Sequence, residues 1–217
     1  MDAPVYLIPG LGADSRTYHG AWQDLPGCIC TDWPEYHGES DIPAVARFMA
    51  EAWQIPDGAV LVGTSFGGVI ACEIARIRSV RSLILVASGE NSGEFKKTKN
   101  MRLLTRIVPL PLLQLLFRRL ENLLERSVGR QPVPFTRAVL DSIRMFSVCQ
   151  ASFYRTMFPA IARWAGLAAC TVRPVRIHGR RDSVIPMPSE VDLVLDGGHL
   201  IVMTHAQECV DFIRSGL

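Results

Sequence analysis

The sequence predicts an α/β protein with a mostly parallel sheet that is covered by helices on both faces. Short apolar runs that lack the alternation of a half-exposed strand recur along the chain, as in residues 5–8 and 82–88. Helical patterns separate these runs, and turns rich in Gly and Pro lie between the two kinds of segment. Strands that are buried on both faces and alternate with helices are typical of a parallel sheet between two helical layers.

The predicted elements follow one another at short intervals. Val45, Met49 and Trp53 recur every four residues, which indicates one face of a helix, and Tyr18 and Trp22 are spaced in the same way. The predicted strands cover residues 5–8, 28–31, 59–63, 82–88, 172–178 and 191–195. The predicted helices cover residues 15–25, 43–53, 66–75, 96–107, 110–128, 134–162 and 204–213.

The alternation of strands and helices breaks over residues 90–165, where the patterns are helical throughout. We expect a core made of residues 1–89 and 166–217, with residues 90–165 inserted as a helical lid. The insertion follows a predicted strand directly and is rich in leucine, and open α/β sheets bind ligands at the carboxyl ends of their strands. Ordinary packing helices are the alternative interpretation.

Length and composition indicate a globular chain of one domain. The chain has 217 residues, of which 48% are hydrophobic. Its first residues lack the basic region of a signal peptide, and its longest apolar stretch, residues 107–117, contains two prolines and is too short to span a bilayer. The six cysteines are scattered without a C-x-x-C pair, which favours reduced thiols and a cytoplasmic location.

Charge is distributed unevenly along the chain. The formal net charge is +2, but residues 90–165 hold 13 basic and 5 acidic residues and the remainder holds 10 basic and 16 acidic residues. A basic insertion on an acidic core indicates an anionic partner, an anionic substrate or a membrane surface, with a solvated helical face as the alternative. No nucleic-acid-binding motif accompanies the basic residues, so we expect no nucleic-acid partner.

A serine lies at the turn between the third predicted strand and the helix after it. Residues 63–67 read Gly-Thr-Ser-Phe-Gly, which matches G-x-S-x-G. On a sharp turn of this kind the hydroxyl of Ser65 is exposed, and glycines flank it because a Cβ would collide with the turn. The N-terminus of the following helix points at the serine and stabilises negative charge there. We therefore interpret Ser65 as a candidate nucleophile.

An acid and a base follow in the order that such a nucleophile requires. Asp182 lies after the fifth predicted strand and His199 after the sixth, so the topology brings both to the sheet edge that bears Ser65. A serine hydroxyl needs a base, and the imidazole needs a carboxylate that fixes its tautomer. Asp196 is the alternative acid. We expect structural roles for His37, His178 and His205, while Ser88 and Asp14 are candidates for the pocket wall.

Four motifs together resemble the α/β-hydrolase superfamily. The family's oxyanion loop is similar to residues 8–12, its D-x-P-G-x-G-x-S loop to residues 32–40, its nucleophile elbow to residues 63–68, and its acid and base loops to residues 178–186 and 197–199. The resemblance covers the chain outside residues 90–165. It implies the α/β-hydrolase fold in a minimal version with about six strands. Pro9 stands where many members have histidine.

The resemblance also implies the role of each site residue. Ser65 is the expected nucleophile, His199 the base and Asp182 the acid, with the backbone N–H groups of Leu11 and Phe66 as the oxyanion hole. It implies no organic cofactor and no metal ion.

The function that follows is hydrolysis of a small carboxylic ester through an acyl-enzyme intermediate. The basic lid is similar in kind to that of pimeloyl-acyl-carrier-protein methyl ester esterases, so an acidic carrier protein is a candidate partner. A thioesterase, a carbon–carbon bond hydrolase or a cofactor-free haloperoxidase would present the same triad. An alternative of another class is a non-catalytic ligand-binding protein, and a further alternative is a peripheral membrane protein that uses the lid as an interfacial helix.

Overall fold

The computed structural model describes residues 3–95, 109–127, 133–167 and 172–216. In these ranges the strands are β1 (Val5–Ile8), β2 (Cys28–Cys30), β3 (Val60–Thr64), β4 (Ser82–Val86), β5 (Val175–Gly179) and β6 (Leu193–Leu195). The α-helices are α1 (Ile42–Ala52), α2 (Phe66–Ile74), α3 (Leu110–Ser127), α4 (Pro134–Val148), α5 (Ala151–Ile161), α6 (Ile201–Thr204) and α7 (Ala206–Gly216).

The six strands form one sheet in the order β2-β1-β3-β4-β5-β6, and every neighbouring pair is parallel. β1, β3 and β4 are central, and their apolar residues are almost fully buried. The six-stranded parallel sheet predicted from the sequence is thereby confirmed. All six carboxyl ends lie at the same edge of the sheet, where the loops that carry the candidate site residues begin.

Each face of the sheet packs against its own hydrophobic core. Tyr6, Ile8 and Leu61 point to the face that α1, α2 and α5 cover. Val5, Leu7 and Val60 alternate with these residues along the strands and point to the opposite face. That face packs against α7 and the segment around Tyr18 and Trp22. The period of two along each strand therefore feeds two cores, which is why the strands read as continuous apolar runs.

Three predicted helices differ in extent from the observed ones. Residues 15–25 form two short 3₁₀ helices, Ser15–Thr17 and Gly20–Asp24, which are separated by Tyr18 and His19; Gly20, which begins the second one, has a φ of +65°. The predicted helix 134–162 is two helices, α4 and α5, because Cys149 and Gln150 adopt extended backbone conformations. The predicted helix 204–213 is α6 followed by α7, and the predicted helix 96–107 lies outside the described residues.

The two ends of the segment 90–165 meet beside β5. The backbone N–H of Leu167 donates to the carbonyl of Glu90 at 2.6 Å. The buried guanidinium of Arg176 forms ion pairs with Glu90 at 3.0 Å and with Glu94 at 2.6 Å. Gly166 has a φ of +90°, and a Cβ there would lie 2.9 Å from the carbonyl oxygen of Glu90. The entry and the exit of the segment are therefore fixed to each other and to the sheet.

Candidate active site

Ser65 occupies a strained turn between β3 and α2. Its φ is +52° and its ψ is −121°, a conformation that a side-chain-bearing residue adopts only when its surroundings impose it. The glycines of the turn have no room for a side chain. A Cβ on Gly63 would lie 2.4 Å from the carbonyl oxygen of Gly67, and one on Gly67 would lie 2.2 Å from that of Ile8.

The structure places Ser65, His199 and Asp182 in one hydrogen-bonded chain. Ser65 Oγ lies 3.0 Å from His199 Nε2, and His199 Nδ1 lies 2.8 Å from Asp182 Oδ2. The three residues follow β3, β6 and β5, so the parallel topology brings their loops to the same sheet edge. The arrangement can take a proton from a hydroxyl and hold the resulting imidazolium against a carboxylate.

Asp182 is buried but is supplied with donors. Its Oδ1 accepts the backbone N–H groups of Val184 at 2.8 Å and Ile185 at 2.9 Å, and its Oδ2 lies 3.4 Å from Nε2 of the buried His178. Burial by itself raises the pKa of the carboxyl group. The hydrogen bonds from His178, His199 and Ile185 outweigh this effect and hold the pKa of Asp182 well below its ordinary value.

The depressed pKa of Asp182 predicts a pH-dependent contribution to stability. An aspartate whose pKa is lower in the folded state stabilises that state fully above its unfolded pKa of about 3.9, and this stabilisation disappears as the pH falls toward the folded value. We expect the difference in unfolding free energy between wild type and Asp182→Asn to shrink as the pH falls from about 4 toward 2. Urea denaturation at each pH measures it, and a difference that does not depend on pH would contradict the burial of an ionised carboxylate.

The alternative acid lies away from the histidine. The side chain of Asp196 is 72% exposed and pairs with Arg181 at 3.2 Å, whereas that of Asp182 is fully buried against His199. The other histidines have separate contacts. His37 packs on Phe48, and His205 Nδ1 lies 2.8 Å from the hydroxyl of Thr204.

The loop after β1 approaches Ser65 closely. A Cβ on Gly10 would lie 3.4 Å from Ser65 Cβ, and Leu11 lines the same cavity as Ser65 and His199. Two side chains hold this loop through its carbonyl groups. Tyr18 Oη donates to Ile8 at 2.7 Å, and Trp33 Nε1 donates to Gly10 at 3.1 Å. Tyr18 and Trp33 therefore order this loop, in which Pro9 stands at the position expected for a histidine.

Ser88 supports the turn from behind. Its Oγ donates to the backbone carbonyl of Ser65 at 2.6 Å, and a Cβ on Gly68 would lie 2.3 Å from that Oγ. Ser88 therefore contacts the backbone of Ser65 rather than the cavity. Asp14 lines a neighbouring cavity. Sequence reasoning assigned no role to Tyr18 or Trp33, whose partners are distant in sequence.

The cavity above Ser65 is small and mainly apolar. Its volume is about 220 Å³. The core contributes Leu11, Leu200 and Met203 to its wall, and the helical segment contributes Met145 and Tyr154. Pockets that bury drug-sized ligands measure about 300–1,000 Å³, so this cavity suits a smaller group.

Comparison with known proteins agrees with this geometry. The sequence profile of the family described as "Alpha/beta hydrolase family" matches residues 5–212, nearly the whole chain. The chain belongs to the α/β-hydrolase family. The six-stranded parallel sheet flanked by helices is the family's fold, and hydrolysis is the class of reaction that this membership indicates. Among curated proteins, none matches the sequence significantly.

Solved structures of two esterases and of a lactone-degrading enzyme share the fold at low sequence identity. A thermophilic esterase from Thermogutta terrifontis is 17% identical with a TM-score of 0.72, and the match covers 99% of this chain and 89% of that one. An esterase from Rhodococcus sp. ECU1013 is 15% identical with a TM-score of 0.70, over 98% and 89%. Est816, described as an N-acyl homoserine lactone degrading enzyme, is 16% identical with a TM-score of 0.69, over 100% and 94%.

Two further properties concern the part of the α/β-hydrolase that the structure describes. None of its helices there combines the length and the apolarity that a bilayer crossing needs. Within the same ranges, no three His, Cys, Asp or Glu side chains are grouped so that they could hold a metal ion.

Proposed function

We propose that this α/β-hydrolase cleaves carboxylic esters through an acyl-enzyme intermediate on Ser65. The hydrogen-bonded chain from Ser65 Oγ through His199 to Asp182, at 3.0 and 2.8 Å, is the observation that carries the proposal. Structural neighbours described as esterases support it at the level of the fold.

The proposed reaction has two steps. Ser65 Oγ attacks the ester carbonyl while His199 Nε2 takes the hydroxyl proton, and Asp182 stabilises the imidazolium. Backbone N–H groups of Leu11 and Phe66 donate to the oxyanion, each contributing about 10²–10³ in rate. His199 then protonates the departing alkoxide, and later it activates the water that releases the acid and restores Ser65.

The segment 90–165 is proposed to serve as the lid of this site, on a core of residues 1–89 and 166–217. Its helices α4 and α5 supply part of the cavity wall, including Phe146 and Tyr154. Phe153 packs on Phe66, the first residue of α2, with ring centroids 6.0 Å apart. Contacts from the segment therefore reach both the cavity and the turn that carries Ser65.

Covalent labelling tests the nucleophile. A fluorophosphonate probe is expected to modify wild type at Ser65, as located by peptide mass spectrometry, and to leave Ser65→Ala unlabelled. The variant Ser79→Ala is the matched control because that serine is exposed and remote, and its labelling should equal that of wild type. Labelling of Ser65→Ala at the wild-type rate would contradict the proposal. An unlabelled, folded wild type that turns over no ester would favour the non-catalytic alternative.

A chain-length series tests the bond and the size of the pocket. The small apolar cavity predicts that p-nitrophenyl butanoate is hydrolysed with a higher kcat/KM than p-nitrophenyl acetate, since the longer acyl group buries more apolar surface. Parallel assays with a thioester of the same acyl group and with a β-diketone separate ester hydrolysis from the thioesterase and carbon–carbon alternatives. A kcat/KM for the thioester that exceeds the ester value would reassign the enzyme.

A carrier protein is the proposed macromolecular partner, and the charges of the segment support it. Each of the five acidic residues in 90–165 already forms an ion pair within the chain. Arg119 and Arg155 of the same segment are exposed. These two arginines are therefore candidates for contact with an anionic surface. The expected cytoplasmic location stays a prediction.

Charge reversal tests the carrier proposal. The double variant Arg119→Glu/Arg155→Glu should lower kcat/KM for a methyl ester attached to an acyl carrier protein by at least about tenfold at low salt, because like charges slow association. Hydrolysis of the free methyl ester reports any indirect damage to the site. Arg47→Glu, an exposed arginine of α1, is the control. Equal losses on both substrates would contradict the carrier proposal.

A further inference from the structure

A second, larger cavity adjoins the cavity that contains Ser65. Its volume is about 380 Å³, and Ser65 and His199 do not line it. The two cavities share four wall residues, Gly12 and Ala13 of the loop after β1 together with Met145 and Tyr154 of the helical segment. A group that extends from Ser65 into the second cavity therefore passes along the loop that carries Leu11.

The position of His199 decides which half of an ester can occupy the second cavity. This argument rests on the function proposed above. The leaving alcohol must lie against His199 Nε2 to receive its proton, so it stays in the cavity lined by His199, Leu200 and Met203. His199 does not line the second cavity, so a group that lies there cannot receive the proton from Nε2. We therefore assign the second cavity to the acyl group.

The second cavity combines aromatic surface with charged groups. Trp33 and Phe153 contribute aromatic rings to its wall, with centroids 5.2 Å apart. The carboxylate of Asp14 pairs with Arg16 at 2.6 Å, which offsets that guanidinium charge. Asp32 also lines the cavity, and its Oδ1 accepts the backbone N–H of Ser15 at 2.8 Å. Two carboxylates and one guanidinium leave this wall with a net negative charge.

We propose that the second cavity binds the distal end of a long acyl group that is free of any carrier and ends in an amine, a different class of substrate from the carrier-linked ester considered above. The methylene chain would contact the aromatic rings, and the terminal ammonium would meet Asp32 and the Asp14–Arg16 pair. An acyl group with a terminal carboxylate meets the same negative wall unfavourably. The enzyme therefore prefers a cationic over an anionic acyl end at equal chain length.

Binding of two uncleaved esters to Ser65→Ala tests the preference. Methyl 8-aminooctanoate and monomethyl octanedioate have the same chain length and opposite terminal charges. Titration calorimetry should show about fivefold tighter binding of the amine, the range expected for partly exposed ion pairs. Adding Asp32→Asn should reduce this preference while the amide oxygen keeps its hydrogen bond to Ser15. Asp57→Asn is the control, since Asp57 accepts the backbone N–H of Ser79 at 2.8 Å in the same way but far from the cavity.

A second pair of variants tests the location. Val148 lines only the larger cavity and is 61% exposed, and Val133 is 64% exposed and lines neither cavity. In the Ser65→Ala background, Val148→Trp should weaken binding of the aminooctanoate ester by about fivefold or more, and Val133→Trp should not.

The outcomes separate this inference from the proposed function. Turnover of p-nitrophenyl butanoate by wild type, with equal binding of the two long esters or no effect of Val148→Trp, would overturn the inference and leave the esterase proposal standing. The expected binding pattern without turnover would support the site and overturn ester hydrolysis. Equal binding without turnover would overturn both.

Discussion

Replacing Asp182 by Asn is expected to lower kcat for ester hydrolysis by about 10⁴-fold with little change in KM. The amide preserves the shape of the side chain and still accepts the backbone N–H groups of Val184 and Ile185. It supplies no negative charge for the imidazolium and can hold His199 in the wrong tautomer, which is the source of losses of about this size in serine hydrolases. Steady-state kinetics with p-nitrophenyl butanoate measures the loss.

The sequence itself provides the control for this experiment. Asp196 lies only three residues before His199, but its side chain is exposed and pairs with Arg181. Asp196→Asn is therefore expected to keep kcat within about twofold of wild type, as is usual for substitutions away from the reacting groups. If the two variants lost activity equally, the hydrogen bond between Asp182 and His199 would not be the one that matters in catalysis.

Gly67→Ala is expected to destabilise the fold by about 3 kcal/mol or more, which lowers Tm by roughly 6–12 °C for a chain of this size. In most helices this substitution is stabilising, because alanine restricts the unfolded chain and favours the helix. Here the added Cβ would lie 2.2 Å from the carbonyl oxygen of Ile8 and 2.4 Å from that of Pro9. Both neighbours are backbone atoms of β1 and its loop, so the clash displaces the elements that surround Ser65.

Gly216→Ala separates the clash from the helix preference. Gly216 ends α7, and among the described residues a Cβ there would meet no atom from another part of the chain within 4 Å. Thermal unfolding should give this variant a Tm equal to or slightly above that of wild type. A Gly67→Ala variant with the same Tm and full activity would show that β1 and α2 can separate without cost.

The sequence was sufficient for the sheet and for the positions of Ser65, Asp182 and His199. Buried parallel strands leave a strong pattern, and their carboxyl ends share one edge, so residues that follow different strands can be brought together by topology alone. The resemblance favoured Asp182 over Asp196 as the acid, and the structure adds the physical difference between them. The side chain of Asp182 is buried and lies 2.8 Å from His199 Nδ1, whereas that of Asp196 is exposed and pairs with Arg181.

The supporting contacts could not be predicted for a physical reason. The bond from Trp33 to Gly10 and the contact of His178 with Asp182 depend on where loops fold in space, and no periodic pattern encodes that. Helix ends were the other source of error. The break between α4 and α5 lies at Cys149 and Gln150, where the sequence has neither glycine nor proline. The Oε1 atom of Gln150 accepts the backbone N–H of Tyr36, a contact that the local sequence does not predict.

The contact between the two ends of the segment 90–165 has a consequence for how the sequence of an α/β-hydrolase can change. Because Leu167 meets Glu90, the residues between them form a loop whose two ends are in contact. The entropy lost in closing a flexible loop grows only with the logarithm of its length, by about 0.6 kcal/mol for each doubling. The stability of the sheet therefore depends only weakly on how many residues the segment 90–165 contains. A longer or different segment would change the residues that it contributes to the cavity wall. The strands that precede Ser65, Asp182 and His199 would keep their register.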